Sequence, residues 1–410
     1  LLLLTPLALW FYGANRLNKN PTELNSNYII RLVQGNIPQK EKWAPEFRLR
    51  NIEKYIALSK IQGAQHSQKS LFRAPNLIIW PETAIPGLIA KDDDLRNWIG
   101  HLLKKEVHLI TGAPSLSQTD TNQPLNSVFV LSADRKITHR YDKAHLVPFG
   151  EYVPFRGWLP FPKLVTKFPD FKAGPGLASI KLPKVGYISP LVCFEVIFPG
   201  KVIMADPEKR PSLLINVTND AWFGKSAGPY QHLEHARLRA IEEGIPLIRV
   251  ANTGISATFD PLGRKLSEIA LGETGYVDQD LIKPLRSETL YTKIGDSIYL
   301  LITTLILFIT LLGKLFFNNK LKVKLQPASP ADLYFQEVSK NCYDIFKDHF
   351  KESFVFADDN SIREFAINEA IKKFDKENLF LEFGVFKGDS INLFAKNLKK
   401  RNAEILGFDS

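Results

Sequence analysis

The stretch Ile188-Ser-Pro-Leu-Val-Cys-Phe-Glu-Val-Ile197 carries an apolar run into a more polar turn, and Cys193 stands at the join. An apolar run of this length reads as a buried strand. Strand ends are common mounting points for nucleophiles, because a rigid backbone there presents a side chain to a cleft. A lone cysteine in apolar surroundings is more often a packing residue. Two motifs upstream change the odds. Asn76-Leu-Ile-Ile-Trp-Pro-Glu-Thr83 delivers Glu82 from a second apolar strand, directly after Pro81. Arg140-Tyr-Asp-Lys-Ala-His-Leu-Val-Pro-Phe-Gly-Glu-Tyr-Val-Pro154 carries Lys143 and Glu151 in a segment stiffened by two prolines. A carboxylate can take a thiol proton, and an ammonium can stabilise both the thiolate and the oxyanion formed when a carbonyl is attacked. Glu and Lys are ordinarily solvated surface charges, so each alone says little. As an ordered set they predict thiol-based acyl chemistry.

Outward from these motifs, strand and helix patterns alternate. Strands are expected at Tyr28–Gln34, Asn76–Trp80, Val107–Gly112, Val185–Cys193, Leu213–Thr218, Pro246–Ala251 and Ser256–Phe259, with a hairpin joining Asn126–Ser132 to Lys136–Tyr141. Helical periodicity marks Ala44–Lys60, Asp93–Lys105 and Pro229–Glu243, and Asp260-Pro-Leu-Gly263 is a turn. Mixed strands and helices over one continuous region indicate a single layered α/β domain.

Trp80-Pro-Glu82, Tyr141-Asp-Lys143 with its following residues to Glu151, and Cys193-Phe-Glu195 resemble the Glu-Lys-Cys triad of the nitrilase superfamily. The branch most similar is the membrane-bound apolipoprotein N-acyltransferase family. Val33-Gln-Gly-Asn-Ile-Pro-Gln39, Asn216-Val-Thr-Asn-Asp-Ala-Trp-Phe-Gly224 and Ala251-Asn-Thr-Gly-Ile-Ser256 also look like that family. The resemblance implies a four-layer α-β-β-α sandwich over residues 27–282, with Glu82 as general base, Lys143 as oxyanion donor and Cys193 as nucleophile. It implies a phospholipid acyl donor, a diacylated apolipoprotein as acceptor and a bacterial inner-membrane location with the catalytic domain outside the cytoplasm. A nitrilase-type amidase using the same three residues is the alternative. Glu151 is expected to orient the lysine or the base. Glu195, two residues beyond the nucleophile, would share its face on a strand. Phe194 stands where the N-acyltransferases often have tyrosine, which leaves the backbone N–H intact. Trp43 matches a tryptophan of a mobile loop in the family, and Trp222 lies in a glycine-bounded loop; both are candidates for lipid contact. His232 and His235 share a helix face, but with Arg237 and Arg239 beside them the better reading is a surface pair, and no metal or other cofactor is expected.

The ends of the chain read differently. Residues 1–13 resemble the trailing end of a transmembrane helix, and a start at Leu1 with Met204 as the sole methionine predicts that the native N-terminus is missing. Residues 294–317 predict a transmembrane helix, since Ile298–Phe317 carries a single charge, Lys314, and the lysines at 320, 322 and 324 lean towards a cytoplasmic tail. Residues 318–335 read as a linker. In residues 336–410, a strand, a glycine turn and a helix resemble the start of an S-adenosylmethionine-dependent methyltransferase of the macrocin O-methyltransferase type. Gly384, Gly388 and Asp409 are the matching positions, and S-adenosylmethionine binding is expected only of a complete form. The net charge of +10 comes from scattered lysines and arginines, with no basic helix carrying interleaved aromatics, so a nucleic-acid partner is not expected. An anionic membrane surface accounts for that balance. Cys193 and Cys342 lie in segments of different character, which argues against a disulfide.

Overall fold

The computed structural model describes residues 4–61, 74–101, 103, 106–117, 123–154, 170–317, 337, 380–383 and 405–408. It forms two compact units, Leu1–Leu307 and Phe308–Ser410. The first contains α1 (Leu4–Lys19), β1 (Leu24–Gln34), α2 (Gln39–Lys42), α3 (Arg48–Lys60), β2 (Leu77–Ile79) and α4 (Asp93–Gly100). There follow β3 (His108–Leu116), β4 (Pro124–Leu131), β5 (Ile137–Asp142), β6 (Ile180–Leu182), β7 (Gly186–Val192) and β8 (Leu213–Thr218). After α5 (Gly228–Glu243) come β9 (Leu247–Ala251), β10 (Ser256–Phe259), β11 (Lys265–Ile269) and β12 (Gly275–Ile282), then α6 (Leu290–Ile294); α7 (Ser297–Phe317) begins in this unit and ends in the second.

Two six-stranded sheets result, ordered β12-β1-β2-β3-β4-β5 and β11-β10-β9-β8-β7-β6. Their central strands are rich in buried apolar residues. Every residue of β8 is buried, as expected for a parallel strand covered on both faces. Alternation assigns each side chain to a layer. Leu77 and Ile79 point into a core shared with Ile215 and Val217 of the other sheet, while Ile78 and Trp80 point outward onto Ile52, Tyr55 and Ile56 of α3. On the far side Leu214 and Leu247 pack beneath Leu233, Ala236 and Ala240 of α5. Each buried leucine, isoleucine or valine among them contributes about 1.5–3 kcal/mol by leaving water. The layering is α-β-β-α, as expected.

Helix ends follow local chemistry. Asp92 accepts from the Leu95 N–H at 2.9 Å and starts α4. Gly244, at φ 65°, ends α5 in the left-handed conformation that glycine adopts without strain. Three expectations are corrected. The helix foreseen over Ala44–Lys60 opens with a separate 3₁₀ turn, Pro45–Phe47, because Pro45 supplies no N–H and its fixed φ suits a tight first turn. The helix foreseen to Lys105 ends at Gly100, where the Leu103 N–H turns back onto the Gly100 carbonyl at 3.0 Å. Strands β6, β11 and β12 were not foreseen.

Residues Leu4–Lys19 are helical, and α7 is a 21-residue helix, yet among the described residues no helix is long and apolar enough to cross a membrane. The span expected at 294–317 is therefore not shown. Both helices carry exposed apolar side chains, including Trp10, Phe11, Tyr299 and Leu301. In the second unit, Phe380–Phe383 and Ile405–Phe408 pair in parallel. A Rossmann-like tail is not shown, and Gly384, Gly388, Asp409 and the linker 318–335 lie outside the described residues.

Candidate active site

The strand directions assemble the site. In the first sheet β1, β2 and β3 run parallel, β4 reverses and β5 reverses again, so β2 and β5 finish at one edge where β4 begins. In the second sheet β7, β8 and β9 run parallel. Glu82 follows β2, Asn126 opens β4, Lys143 follows β5 and Cys193 follows β7. Open α/β sheets place ligands outside the carboxyl ends of their strands; Glu82, Lys143 and Cys193 occupy such ends, and Asn126 joins them from the start of the reversed strand β4.

Glu82 is buried, and its Oε1 accepts from Asn126 Nδ2 at 2.6 Å. The same amide nitrogen reaches Glu151 Oε1 at 3.2 Å, so Asn126 bridges the two carboxylates. Glu151 Oε2 lies 2.8 Å from Lys143 Nζ and also accepts from the Val147 N–H at 2.8 Å. Lys143 is almost fully enclosed; its N–H donates to the Asn126 carbonyl and its own carbonyl accepts from the Gly174 N–H. The turn that carries Glu82 presses against β3. A Cβ on Gly112 would lie 2.4 Å from Thr83 N and 2.7 Å from Glu82 Cα, so only glycine admits this approach. Thr83 itself sits at φ 49°.

Cys193 is half-buried and opens the 3₁₀ turn Cys193–Ile197 with φ 51°, a conformation that costs a non-glycine residue about 1–3 kcal/mol and persists only where its surroundings enforce it. Its carbonyl accepts from Asn216 Nδ2 at 3.3 Å and lies 3.1 Å from His232 Nε2. Burial, followed by the Glu82 charge, pushes the thiol up to about 12. Burial also raises Glu82, against the opposing ammonium groups of Lys143 and Lys42. For Lys143 burial favours the neutral form, but Glu151, Cys193 and Glu82 outweigh it and hold the ammonium above its usual range. The site at rest is thus a thiol, a base of raised affinity and a locked cation.

Glu195 does not share a strand face with Cys193, because the strand has already ended. Its buried carboxylate accepts from Tyr141 Oη and the Ala144 N–H at 2.7 Å each, the His145 N–H at 3.1 Å and the Val192 N–H at 2.7 Å. These bonds rivet the Lys143 loop to the nucleophile's turn. Phe194 packs edge-on against Phe198. Trp43 is half-buried, whereas Trp222 is about half exposed. The two loops are joined, since Asn219 Nδ2 donates to Gln39 Oε1 at 2.9 Å.

Asn126 and Lys42 were missed, and His232 was misplaced. Lys42, beside Trp43, is buried with its Nζ donating to the Glu82 carbonyl at 2.9 Å, and burial lowers it to about 8. His232 is not on the surface. It is buried beside Asp220 and Arg249, while His235 is exposed. Among the described residues Cys193, Asp220 and His232 form the one cluster with a metal-like spacing. Arg249 Nη2 contacts both Asp220 Oδ2 at 2.6 Å and His232 Nδ1 at 3.1 Å, so a cation already occupies those lone pairs. A separate cavity of about 870 Å³ lies between Arg16 and Lys19 of α1 and Arg286, and none of the site residues line it.

A family model described as carbon-nitrogen hydrolase matches residues 29–286. The chain is similar to proteins named apolipoprotein N-acyltransferase. That of Rhodopseudomonas palustris is 36% identical over 314 residues, covering 75% of this chain and 58% of the relative. That of Bradyrhizobium diazoefficiens is 40% identical over 297 residues, covering 71% and 54%. That of Rickettsia prowazekii is 37% identical over 325 residues, covering 78% and 62%. The chain spans somewhat over half the length of these curated relatives. Among solved structures, an E41Q mutant of an amidase from Nesterenkonia sp. AN1 is similar over 64% of this chain and 93% of that one, at 17% identity and TM-score 0.44.

Proposed function

Because this chain belongs to the carbon-nitrogen hydrolase family, we propose that it acylates lipoproteins. The acyl group passes from a membrane phospholipid to Cys193 as a thioester, and then to the α-amino group of a diacylated cysteine at an apolipoprotein's N-terminus. The observation that carries this reading is the convergence of Glu82, the Lys143–Glu151 pair and Cys193 beyond the carboxyl ends of β2, β5 and β7, where they act electrostatically on one another. The names of the relatives supply the substrate class.

With the thiol held protonated, proton removal must accompany attack. Cys193 Sγ bonds to the ester carbonyl carbon as Glu82 takes the thiol proton. The tetrahedral oxyanion accepts from Lys143 Nζ and the Phe194 N–H. The ester C–O bond then breaks, and Glu82 passes its proton to the departing lysophospholipid oxygen. In the second half the acceptor amine attacks the thioester, Glu82 takes an N–H proton, and the C–S bond breaks with that proton returning to sulfur. Each cycle restores thiol and carboxylate, which predicts ping-pong kinetics. Glu151 holds Lys143 in place throughout. Trp43 and Trp222 contact lipid, and the exposed apolar faces of α1 and α7 hold the thiol at the depth of acyl esters.

The test is to incubate the full chain with acyl-labelled phospholipid and locate hydroxylamine-labile label by mass spectrometry. Label on Cys193 that moves to an added diacylated lipopeptide, and its loss in Cys193→Ala, is the expected result. Ammonia release from small amides with no acyl label on Cys193 would replace this reading with that of an amidase.

A further inference from the structure

Asp220, His232 and Arg249 form an enclosed polar group directly behind the nucleophile, and none of the proton transfers above uses it. They come from the turn after β8, from α5 and from β9 respectively, and all three side chains are buried. Arg249 Nη1 donates to Asn216 Oδ1, and Thr218 Oγ1 donates to Asp220 Oδ1 at 3.0 Å. His232 Nδ1 lies 3.0 Å from Asp220 Oδ1 and 3.1 Å from Arg249 Nη2, with Nε2 3.1 Å from the Cys193 carbonyl oxygen.

These contacts fix where the imidazole carries its proton. A neutral ring protonated only on Nδ1 would set the Nε2 lone pair against the Cys193 carbonyl and an N–H against the Arg249 guanidinium. Either remaining form has a proton on Nε2, so Nε2 donates to Cys193 O. Burial and Arg249 hold the ring below its usual pKa, against Asp220, whose Oδ1 lies 3.0 Å from Nδ1; the Nε2–H is present with or without a second proton on Nδ1.

The Cys193 carbonyl and the Phe194 N–H belong to one planar amide. We propose that His232, together with Asn216, positions and polarises this amide, so that the Phe194 N–H meets the developing oxyanion as an oriented, strengthened donor. Two donors on the carbonyl hold the peptide plane against the unfavourable φ of Cys193, and a hydrogen bond at one end of an amide strengthens the donor at the other. His232 is thus a positioning residue for oxyanion stabilisation. The inference rests on the thiol acylation described above, but not on its lipid substrates.

The test compares wild type, His232→Leu and His232→Gln in the full chain, using two reactions of the same thiol. The burst of p-nitrophenol from p-nitrophenyl butyrate passes through an oxyanion; alkylation by iodoacetamide does not. In His232→Leu the burst rate should fall about tenfold or more at unchanged KM, while alkylation stays within about twofold. His232→Gln, whose amide N–H can reach the same carbonyl, should recover most of the burst. An unchanged burst in His232→Leu, equal slowing of both reactions, or a glutamine variant as slow as leucine would overturn the inference. A wild-type burst without transfer from phospholipid would remove the lipid substrates and leave this role of His232 standing.

Discussion

At the residue level Glu82 balances burial, which raises its proton affinity, against Lys143, Lys42 and the Asn126 hydrogen bond, which lower it. Asn126→Ala removes one lowering contribution. The acid limb of the pH profile for Cys193 acylation should therefore move to higher pH, measured as single-turnover thioester formation; an unmoved or lowered limb would separate Glu82 from the proton transfer. Lys42 makes a second test, of stability. Its folded pKa is depressed to about 8 from 10.5, so between those values the unfolded chain binds more protons and stability rises with pH. Relative to Lys42→Met, wild type should gain about 3 kcal/mol from pH 8 to pH 10.5 and change little below pH 8, read from denaturant titrations at each pH. Neither Lys42 nor His232 was legible in sequence. Gln39-Lys-Glu-Lys-Trp43 looks like a solvated charge run, and nothing local reveals that it folds over Glu82. The spacing of His232 and His235 suggested one face, but Leu233, Ala236 and Ala240 set the buried side of α5 so that the two histidines part. Glu82 and Cys193 stand out in the sequence because each follows an apolar strand, and Lys143 because it lies in the distinctive run from Tyr141 to Glu151.

At the scale of elements, the nucleophile's turn and the Lys143 loop come from different sheets and are joined through Glu195. A carboxylate that accepts four hydrogen bonds cannot be replaced by an amide without opposing a donor to a donor. Glu195→Gln sets its NH₂ against the Val192 N–H or against Tyr141 Oη and the two loop amides. It should lower stability by about 3 kcal/mol and slow acylation, since Lys143 and Cys193 lose their common anchor. Chemical denaturation alongside burst kinetics would check this, and wild-type values in both would dismiss the anchor. The same scale shows which strands a sequence declares. Leu213–Thr218 is buried from end to end and mostly apolar because both its faces are covered, and it was read to its ends. The unread strands β6, β11 and β12 all lie at sheet edges. They lack a long apolar run: β11 is polar and largely exposed, as in Lys265-Leu-Ser-Glu-Ile269, β6 has only three residues, and β12 carries Asp278-Gln-Asp280 in its middle. The edge strand β5 was found because its hairpin with β4 has a turn signal at Ala133-Asp-Arg135.

For the whole molecule, the chemistry and the lipid contact should be separable. Glu82, Lys143, Glu151 and Cys193 sit on loops that follow strands of the two sheets, whereas many of the exposed apolar side chains gather on α1 and α7. Leu300, Leu301, Leu305 and Ile306 are each at least half exposed, which in water is an unfavourable arrangement for a contiguous surface. Basic residues stand at the foot of both helices: Arg16 and Lys19 end α1, and Lys293 precedes α7. Apolar surface beside a basic rim suits an anionic bilayer, to which each cation near the surface adds about 1 kcal/mol. The chain should float with vesicles of phosphatidylethanolamine and phosphatidylglycerol. Leu301→Arg with Leu305→Arg should abolish flotation, since an arginine at a helix centre in lipid costs about 2.5–3.5 kcal/mol on insertion scales. The same variant should keep its burst with p-nitrophenyl butyrate, a soluble ester that needs no bilayer, while losing acylation from vesicle phospholipid. Flotation that survives both arginines would move the lipid contact away from α7. Loss of the soluble burst as well would mean that this helix supports the catalytic fold rather than placing it at a membrane.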